Sequence, residues 1–253
     1  QGYTRAKENS MIGVIGGTGL SEPKFLNDVQ MQQVSTPYDQ QGVQILTGTL
    51  HGKAVAFVPR HGRDHKVPPH RVNYRANLWA LHAIGVTAVI GVNAVGGIHP
   101  ETGPGKLAVP AQIIDYTWGR EHTFFADGLN AVTHIDFSHP YDAALRQLLI
   151  DAARGRAMWP QGVYGCTQGP RLESAAEVQR LLRDGCDLVG MTGMPEAALA
   201  RELGMAYACL ALSVNWAAGL SEELITMDAI ERVLRTGMSE VLDVLQKAIV
   251  AFD

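Results

Sequence analysis

Short, nearly continuous apolar runs rich in β-branched residues alternate along this chain with longer stretches of helical periodicity that stop at a glycine. A strand that is apolar on both faces has to be covered on both faces, so the alternation confines the chain to an α/β protein with helices packed on a central sheet. Strands are predicted at Ile12–Ile15, Val43–Leu50, Ala54–Val58, Ala88–Val92, Ile113–Tyr116, Val163–Thr167, Leu188–Met191 and Tyr207–Leu212. The helical stretches Val72–Ile84, Ala175–Asp184 and Pro195–Leu203 end at Gly85, Gly185 and Gly204, where a left-handed cap is cheapest. Pro195 suits the first turn of its helix. A last helix is predicted after Thr226, with Met227, Ile230, Val233 and Leu234 on one face and its inner end near a pocket.

With 253 residues, 46% of them hydrophobic, the chain can bury one large core, and no repeat or low-complexity segment divides it. One domain is expected over residues 11–253, and Gln1–Ser10, ahead of Met11, reads as a cloning remnant outside the fold. A net charge of -4 excludes the broad basic footprint of a nucleic-acid binder, which leaves a small-molecule partner. No apolar run approaches the roughly 18 residues of a membrane span. Cys166, Cys186 and Cys209 fit neither a CxxC pair nor a disulfide framework and read as small buried hydrophobes in a reducing cytoplasm.

Several strand ends carry groups suited to an anion. Gly16-Gly17-Thr18-Gly19 follows the first strand, where backbone N–H groups can turn toward an anion and Thr18 adds a hydroxyl. Glu22 stands where a dinucleotide fingerprint needs glycine, and the Lys-Ser/Thr pair of a P-loop is missing. A tight turn is the plain alternative. Arg60-His61-Gly62-Arg63-Asp64-His65 concentrates donors at another strand end, and the alternatives are a solvated basic loop or a metal site that lacks further ligands. Asn93-Ala94-Val95-Gly96-Gly97 is expected to offer free N–H groups beyond a third strand. Thr192 is expected to combine its hydroxyl with the dipole of the helix starting near Pro195. A second set suits a heterocycle: Glu173 accepts hydrogen bonds, and Asn215 both donates and accepts. Either could equally be a cap or a loop residue.

Taken together, Ile15-Gly16-Gly17-Thr18-Gly19, Arg60-His61-Gly62, Val72-Asn73-Tyr74-Arg75-Ala76-Asn77, Asn93-Ala94-Val95-Gly96-Gly97, Gly169-Pro170-Arg171 and Met191-Thr192-Gly193-Met194-Pro195-Glu196 resemble the trimeric purine nucleoside phosphorylase and methylthioadenosine phosphorylase family, from Met11 to the C-terminus. The resemblance implies an α/β single domain with a central mixed β-sheet flanked by helices. It implies a phosphate site at Thr18, Arg60, His61, Ala94 and Thr192, with Met191 beneath the ribose and no cofactor or metal, phosphate being a co-substrate. It also implies a homotrimer whose sites borrow from a neighbour, the segment His134-Ile135-Asp136-Phe137 matching the lender. His134 could then cover the sugar, or the segment could be plain loop.

The base site separates the branches. The adenine-cleaving branch resembles Asp-x-Asp at a strand end that here reads Asn215-Trp216-Ala217, whereas the 6-oxopurine branch pairs a Pro-x-x-Glu glutamate with an asparagine, as Glu173 and Asn215 do. Hypoxanthine presents N1–H to Glu173 and O6/N7 to Asn215, whereas the N1 lone pair of adenine would oppose a carboxylate. Asn215, Trp216, Ala217, Glu173, Met191, Ile230 and His134 are therefore expected around the nucleoside, with Asn215 and Glu173 assisting departure of the purine. Met227 and Ile230 favour an apolar 5'-methylthio group. The expected reaction is phosphorolysis of methylthioinosine, through an oxocarbenium-like state and without a covalent enzyme nucleophile. The alternatives are a general inosine or guanosine phosphorylase, a methylthioadenosine phosphorylase, or a non-catalytic nucleotide-binding module.

Overall fold

The computed structural model describes residues 10–253. The cloning-remnant reading of Gln1–Ser10 therefore lies outside the described residues, apart from Ser10. The elements run β1 (Met11–Gly16), β2 (Asn27–Thr36), β3 (Asp39–Leu50), β4 (Lys53–Pro59), α1 (Tyr74–Ala83), β5 (Val86–Gly97), β6 (Leu107–Ala108), β7 (Gln112–Asp115), α2 (Ala143–Ala152), β8 (Met158–Trp159), β9 (Val163–Cys166), α3 (Ala175–Arg183), β10 (Leu188–Gly190), α4 (Glu196–Glu202), β11 (Ala206–Trp216) and α5 (Met227–Ala251). Among the described residues they form one mixed sheet of eleven strands flanked by helices. All three cysteines are free and buried. No helix of the described residues is long and apolar enough to cross a membrane.

The sheet is organised around β5. Its first half lies between β1 and β11, parallel to both, and its last two residues pair antiparallel with β10. Apolar side chains on the two faces of these strands feed two large cores. One gathers Ile15, Val58, Val89, Leu81 and Leu199 with α1 and α4; the other gathers Val14, Phe57, Ile90, Leu210 and Leu245 with α2 and α5. This double burial is why the strands read as continuous apolar runs.

Three differences from the sequence reading have physical causes. β2 was not predicted because its sequence, Asn-Asp-Val-Gln-Met-Gln-Gln-Val-Ser-Thr, is almost wholly exposed at the sheet edge and pairs only with β3. α2 escaped because its apolar face is narrow, with only Leu145 and Leu149 buried within the helix. The helix predicted from Val72 begins at Tyr74 instead, since the Asn73 side chain accepts the Ala76 N–H and fixes the N-cap there.

Two strands outrun their predicted ends, and this places the site. β1 stops at Gly16 while β5 continues from its last β1 partner, Gly91, to Gly97, and β11 follows it to Trp216. The residues Asn93–Gly97, expected as a loop of free N–H groups, are strand: one edge is laddered to β11, and the other is open only between the end of β1 and the pairing of Gly96 and Gly97 with β10. Val92 O on that open edge accepts from Arg60 Nη1 at 2.9 Å, and the two-residue period of a strand puts the Ala94 N–H on the same edge.

Into this opening β4 delivers Arg60, whose backbone N–H bonds Gly16 O at 2.9 Å. Its guanidinium meets Glu196 from α4 as a bidentate pair, Nε to Oε2 at 2.7 Å and Nη2 to Oε1 at 2.6 Å, with neither side chain exposed. Tyr207 of β11 donates to the same Oε1 at 2.6 Å. Burial works against the arginine charge, but Glu196 more than offsets it and holds the guanidinium protonated more firmly than usual. The crossing needs Gly91, because a Cβ there would lie 2.2 Å from the Tyr207 hydroxyl and 2.9 Å from Glu196 Oε1. Glu196→Ala should strand the buried Arg60 charge and destabilise the protein by about 3–5 kcal/mol, seen as a loss in denaturant midpoint. A loss below about 1 kcal/mol would show that the pair does not hold the fold.

Candidate active site

A cavity of about 430 Å³ opens where β1, β4, β5, β10 and β11 end. Its lining includes a first group, Gly17, Thr18, Arg60, His61, His65, Ala94 and Thr192, a second of Pro170, Leu172, Glu173, Asn215 and Ala218, and the apolar Met191, Ile225, Met227 and Ile230. The structure thus brings together Thr18, Arg60, His61, Ala94, Thr192, Met191, Glu173, Asn215 and Ile230.

In the first group, each residue differs in character from a simple cluster of donors. Gly17 lies against Val92 O and Arg60 Nη1, where a Cβ would approach to 2.4 and 2.9 Å, so the loop of Thr18 is seated directly on the arginine. Arg60 itself has four of its five N–H groups engaged, by Glu196 twice, Val92 O and Asn93 Oδ1, so it contributes chiefly as the buried post on which the others stand. The Thr18 hydroxyl bonds His65 Nε2 at 3.0 Å, and His65 holds a left-handed backbone at φ 53°. His65 thus joins the site from a sequence signal, its place in the Arg60–His65 cluster, that did not single it out.

His61 is expected as an anion donor, and the structure alters that reading. Its Nδ1 lies 2.8 Å from Val67 O, and because a carbonyl only accepts, Nδ1 carries the proton and Nε2 is an acceptor in the neutral ring. Burial, and then the Arg60 charge, hold the imidazole down to about 4. His61 therefore presents a lone pair at neutral pH and suits an oxyanion that keeps a proton of its own.

Thr192 does not cap α4, whose N-cap is Pro195 without a side-chain bond; its hydroxyl accepts instead from Asn93 Nδ2 at 2.9 Å. The expected helix-dipole contribution gives way to this bond. The turn from Met191 to Met194 is clamped by Arg120, which donates to Met191 O at 2.8 Å, Met194 O at 2.7 Å and Gln168 O at 2.9 Å. Arg120, in a segment with no periodicity, carried no sequence signal.

The second region rests on two local devices. Glu173 immediately precedes Ser174, whose side chain and that of Glu177 form a reciprocal capping box at the start of α3, so the chain direction at Glu173 is fixed. Thr167 Oγ1 donates to Glu173 Oε2 at 2.8 Å. Burial raises the Glu173 pKa above the ordinary glutamate value, and the Thr167 bond partly opposes this. On β11 the ladder shifts between Ser213 and Asn215, leaving Val214 as an extra residue. This bulge re-aims the strand tip, so that Val214 and Asn215 both reach the cavity wall. Asn215 Nδ2 donates to Trp216 O at 2.7 Å, which leaves one amide hydrogen and Oδ1 for a ligand.

Two expected nucleoside contacts lie elsewhere, and a third, His134, is expected to act in a neighbour's site and not its own. Trp216 turns away and packs over Gly103, where a Cβ would meet its ring at 2.8 Å. Ala217 is 2% exposed, buried with Ile98, Val178 and Val189, and its N–H bonds Gly97 O. His134 is exposed on the segment between β7 and α2, outside the cavity wall. Strand alternation turns Trp216 away from the face of Asn215, whereas Ala217 lies past the end of β11 and is held in the core by its N–H bond to Gly97 O.

Comparison with known proteins matches residues 11–250 to the phosphorylase superfamily. A protein of Pseudomonas syringae pv. tomato named "Probable S-methyl-5'-thioinosine phosphorylase" is 56% identical over 96% of this chain and 99% of its own. The 6-oxopurine nucleoside phosphorylase of Pyrococcus furiosus is 41% identical over 94% of this chain and 91% of its own. Among solved structures, methylthioadenosine phosphorylase from Schistosoma mansoni in complex with adenine superposes with a TM-score of 0.91 at 32% identity, covering 96% of this chain and 93% of that one.

The neutral state of His61 carries a pH signature. An unfolded histidine takes up a proton near 6.5, the folded one only near 4, so between these values the unfolded state binds more protons and stability falls as pH falls. Stability should be complete above about pH 6.5 and decline toward pH 4 by up to about 3 kcal/mol. His61→Gln should flatten that part of the stability profile in denaturant titrations; an unchanged slope would mean that another group controls it.

Proposed function

The chain belongs to the phosphorylase superfamily, and on that premise we propose that it cleaves 6-oxopurine nucleosides with inorganic phosphate, S-methyl-5'-thioinosine foremost, releasing hypoxanthine and 5-methylthioribose 1-phosphate. The observation that carries this reading is the composition of one cavity: an anion end of Thr18, Ala94 N–H, Thr192 and neutral His61, together with Glu173 and Asn215. Phosphate held by the first set supplies the oxygen that bonds C1' as the glycosidic bond breaks. The bonding electrons leave with the purine, whose O6 or N7 accepts the one free Asn215 amide hydrogen while its N1–H donates to Glu173. Preorganised donors and proximity are the sources of rate acceleration.

The purine preference rests on Glu173. Held by Thr167 and buried, its carboxylate accepts N1–H of a 6-oxopurine and repels the N1 lone pair of adenine. The names of the 56% and 41% identical relatives agree with this preference, whereas the adenine-bound structure stands at 32%. Ile225, Met227 and Ile230, an apolar wall at the start of α5, favour a methylthio group over a 5'-hydroxyl. The working unit in this reading is a homotrimer in which a neighbour's His134–Phe137 segment covers the sugar. His134 is exposed and Val132, close by, is 77% exposed, as a lending segment would be.

The deciding assay is base release from methylthioinosine, inosine, guanosine and methylthioadenosine, each with and without phosphate. Phosphate-dependent release with methylthioinosine preferred is expected, and preference for methylthioadenosine overturns the purine assignment. Glu173→Gln, which can donate to N1, should shift the kcat/KM ratio toward methylthioadenosine by about 10-fold or more. An acidic pair made through Ala217→Asp would be a poor test, because that site buries its side chain in a core. Sedimentation at assay concentration should give a trimer, and a fully active monomer rejects the shared-site reading.

A further inference from the structure

Asn93 is 2% exposed and lies behind the anion end, outside the cavity wall. Its Oδ1 accepts from Arg60 Nη2 at 3.3 Å, and its Nδ2 donates to Tyr164 Oη at 3.1 Å and Thr192 Oγ1 at 2.9 Å. A guanidinium only donates, so the carboxamide atom facing Arg60 has to be oxygen. The nitrogen is thereby forced toward Thr192, and both of its hydrogens are engaged. A threonine hydroxyl has one proton and two lone pairs. With a lone pair taken by Asn93, and no described carbonyl or carboxylate receiving the proton, the Thr192 O–H is left free to donate into the cavity it lines.

We propose that Asn93 is a positioning residue for phosphate: it transmits the fixed polarity of Arg60 to Thr192 and makes the Thr192 hydroxyl a donor to the bound anion. This rests on the phosphorolysis reading. The same hydroxyl beside a group that only accepts would give its proton to that group and turn a lone pair to the anion. The polarity of one buried amide therefore decides whether Thr192 attracts or repels phosphate.

The test is a pair of double-mutant cycles on folded protein, with thermal melts as control. Thr192→Val and Asn93→Ala should each raise KM for phosphate about 10-fold, leaving KM for the nucleoside and kcat at saturating phosphate within about 3-fold. The double variant should be no worse than about 3-fold beyond either single, because both remove one bond. Additive penalties, near 100-fold, would overturn the proposal, as would a loss confined to kcat. If Asn93→Ala does not fold, Asn93→Asp keeps the shape and the Arg60 contact but reverses the polarity toward Thr192. Its penalty on phosphate KM should shrink at least about 5-fold in the Thr192→Val background, where only the added charge remains to act. An undiminished penalty overturns the assignment. Base release by wild type without phosphate would instead overturn phosphorolysis itself, so the two failures are distinguishable.

Discussion

The buried bidentate pair between Arg60 and Glu196 is the constraint on which the rest of the site stands. It joins the end of β4 to the start of α4 and, through the Tyr207 hydroxyl, to β11. Removing both charges from water is expensive, and the cost is met only because almost every lone pair and N–H around them is engaged. What the pair provides is location. Gly17, Val92 O and Asn93 are all fitted to the guanidinium. A phosphate held nearby would meet neutral donors arranged around a compensated charge, an environment that binds through geometry more than through raw attraction.

Much of this was legible in the chain. Apolar runs marked the inner strands, glycines marked helix ends, and the polar residues at strand ends marked most of the cavity. Missed were the elements and residues whose role depends on tertiary context. β2 is polar throughout because an edge strand with exposed faces has no hydrophobic period to display. Glu196 sits among alanines and leucines with nothing local to reveal that its partner lies 136 positions away. Arg120 clamps three carbonyls from an aperiodic segment.

The differences at the base site have local causes. Asn215, Trp216 and Ala217 read as one ligand-facing strand end, but Trp216 alternates away from Asn215, and Ala217, past the end of β11, is packed in a core. Likewise Arg60 and His61 were read by their nominal charge. In place, one is compensated by Glu196, and the other is kept neutral by burial and its bond to Val67 O. Residue type indicated where an anion end would form, whereas only the packing reveals which atoms give protons and which take them.

The bulge at Val214 acts as a phase shifter in β11. Upstream of it, alternate side chains answer to two crowded cores; beyond it, the alternation restarts with Asn215 toward the cavity. The core therefore sets no requirement on which residue occupies the tip. A substitution at position 215 would change what the strand tip offers the cavity while leaving the packed interior of the strand in place. The joint separates the spelling of the tip from the building of the wall.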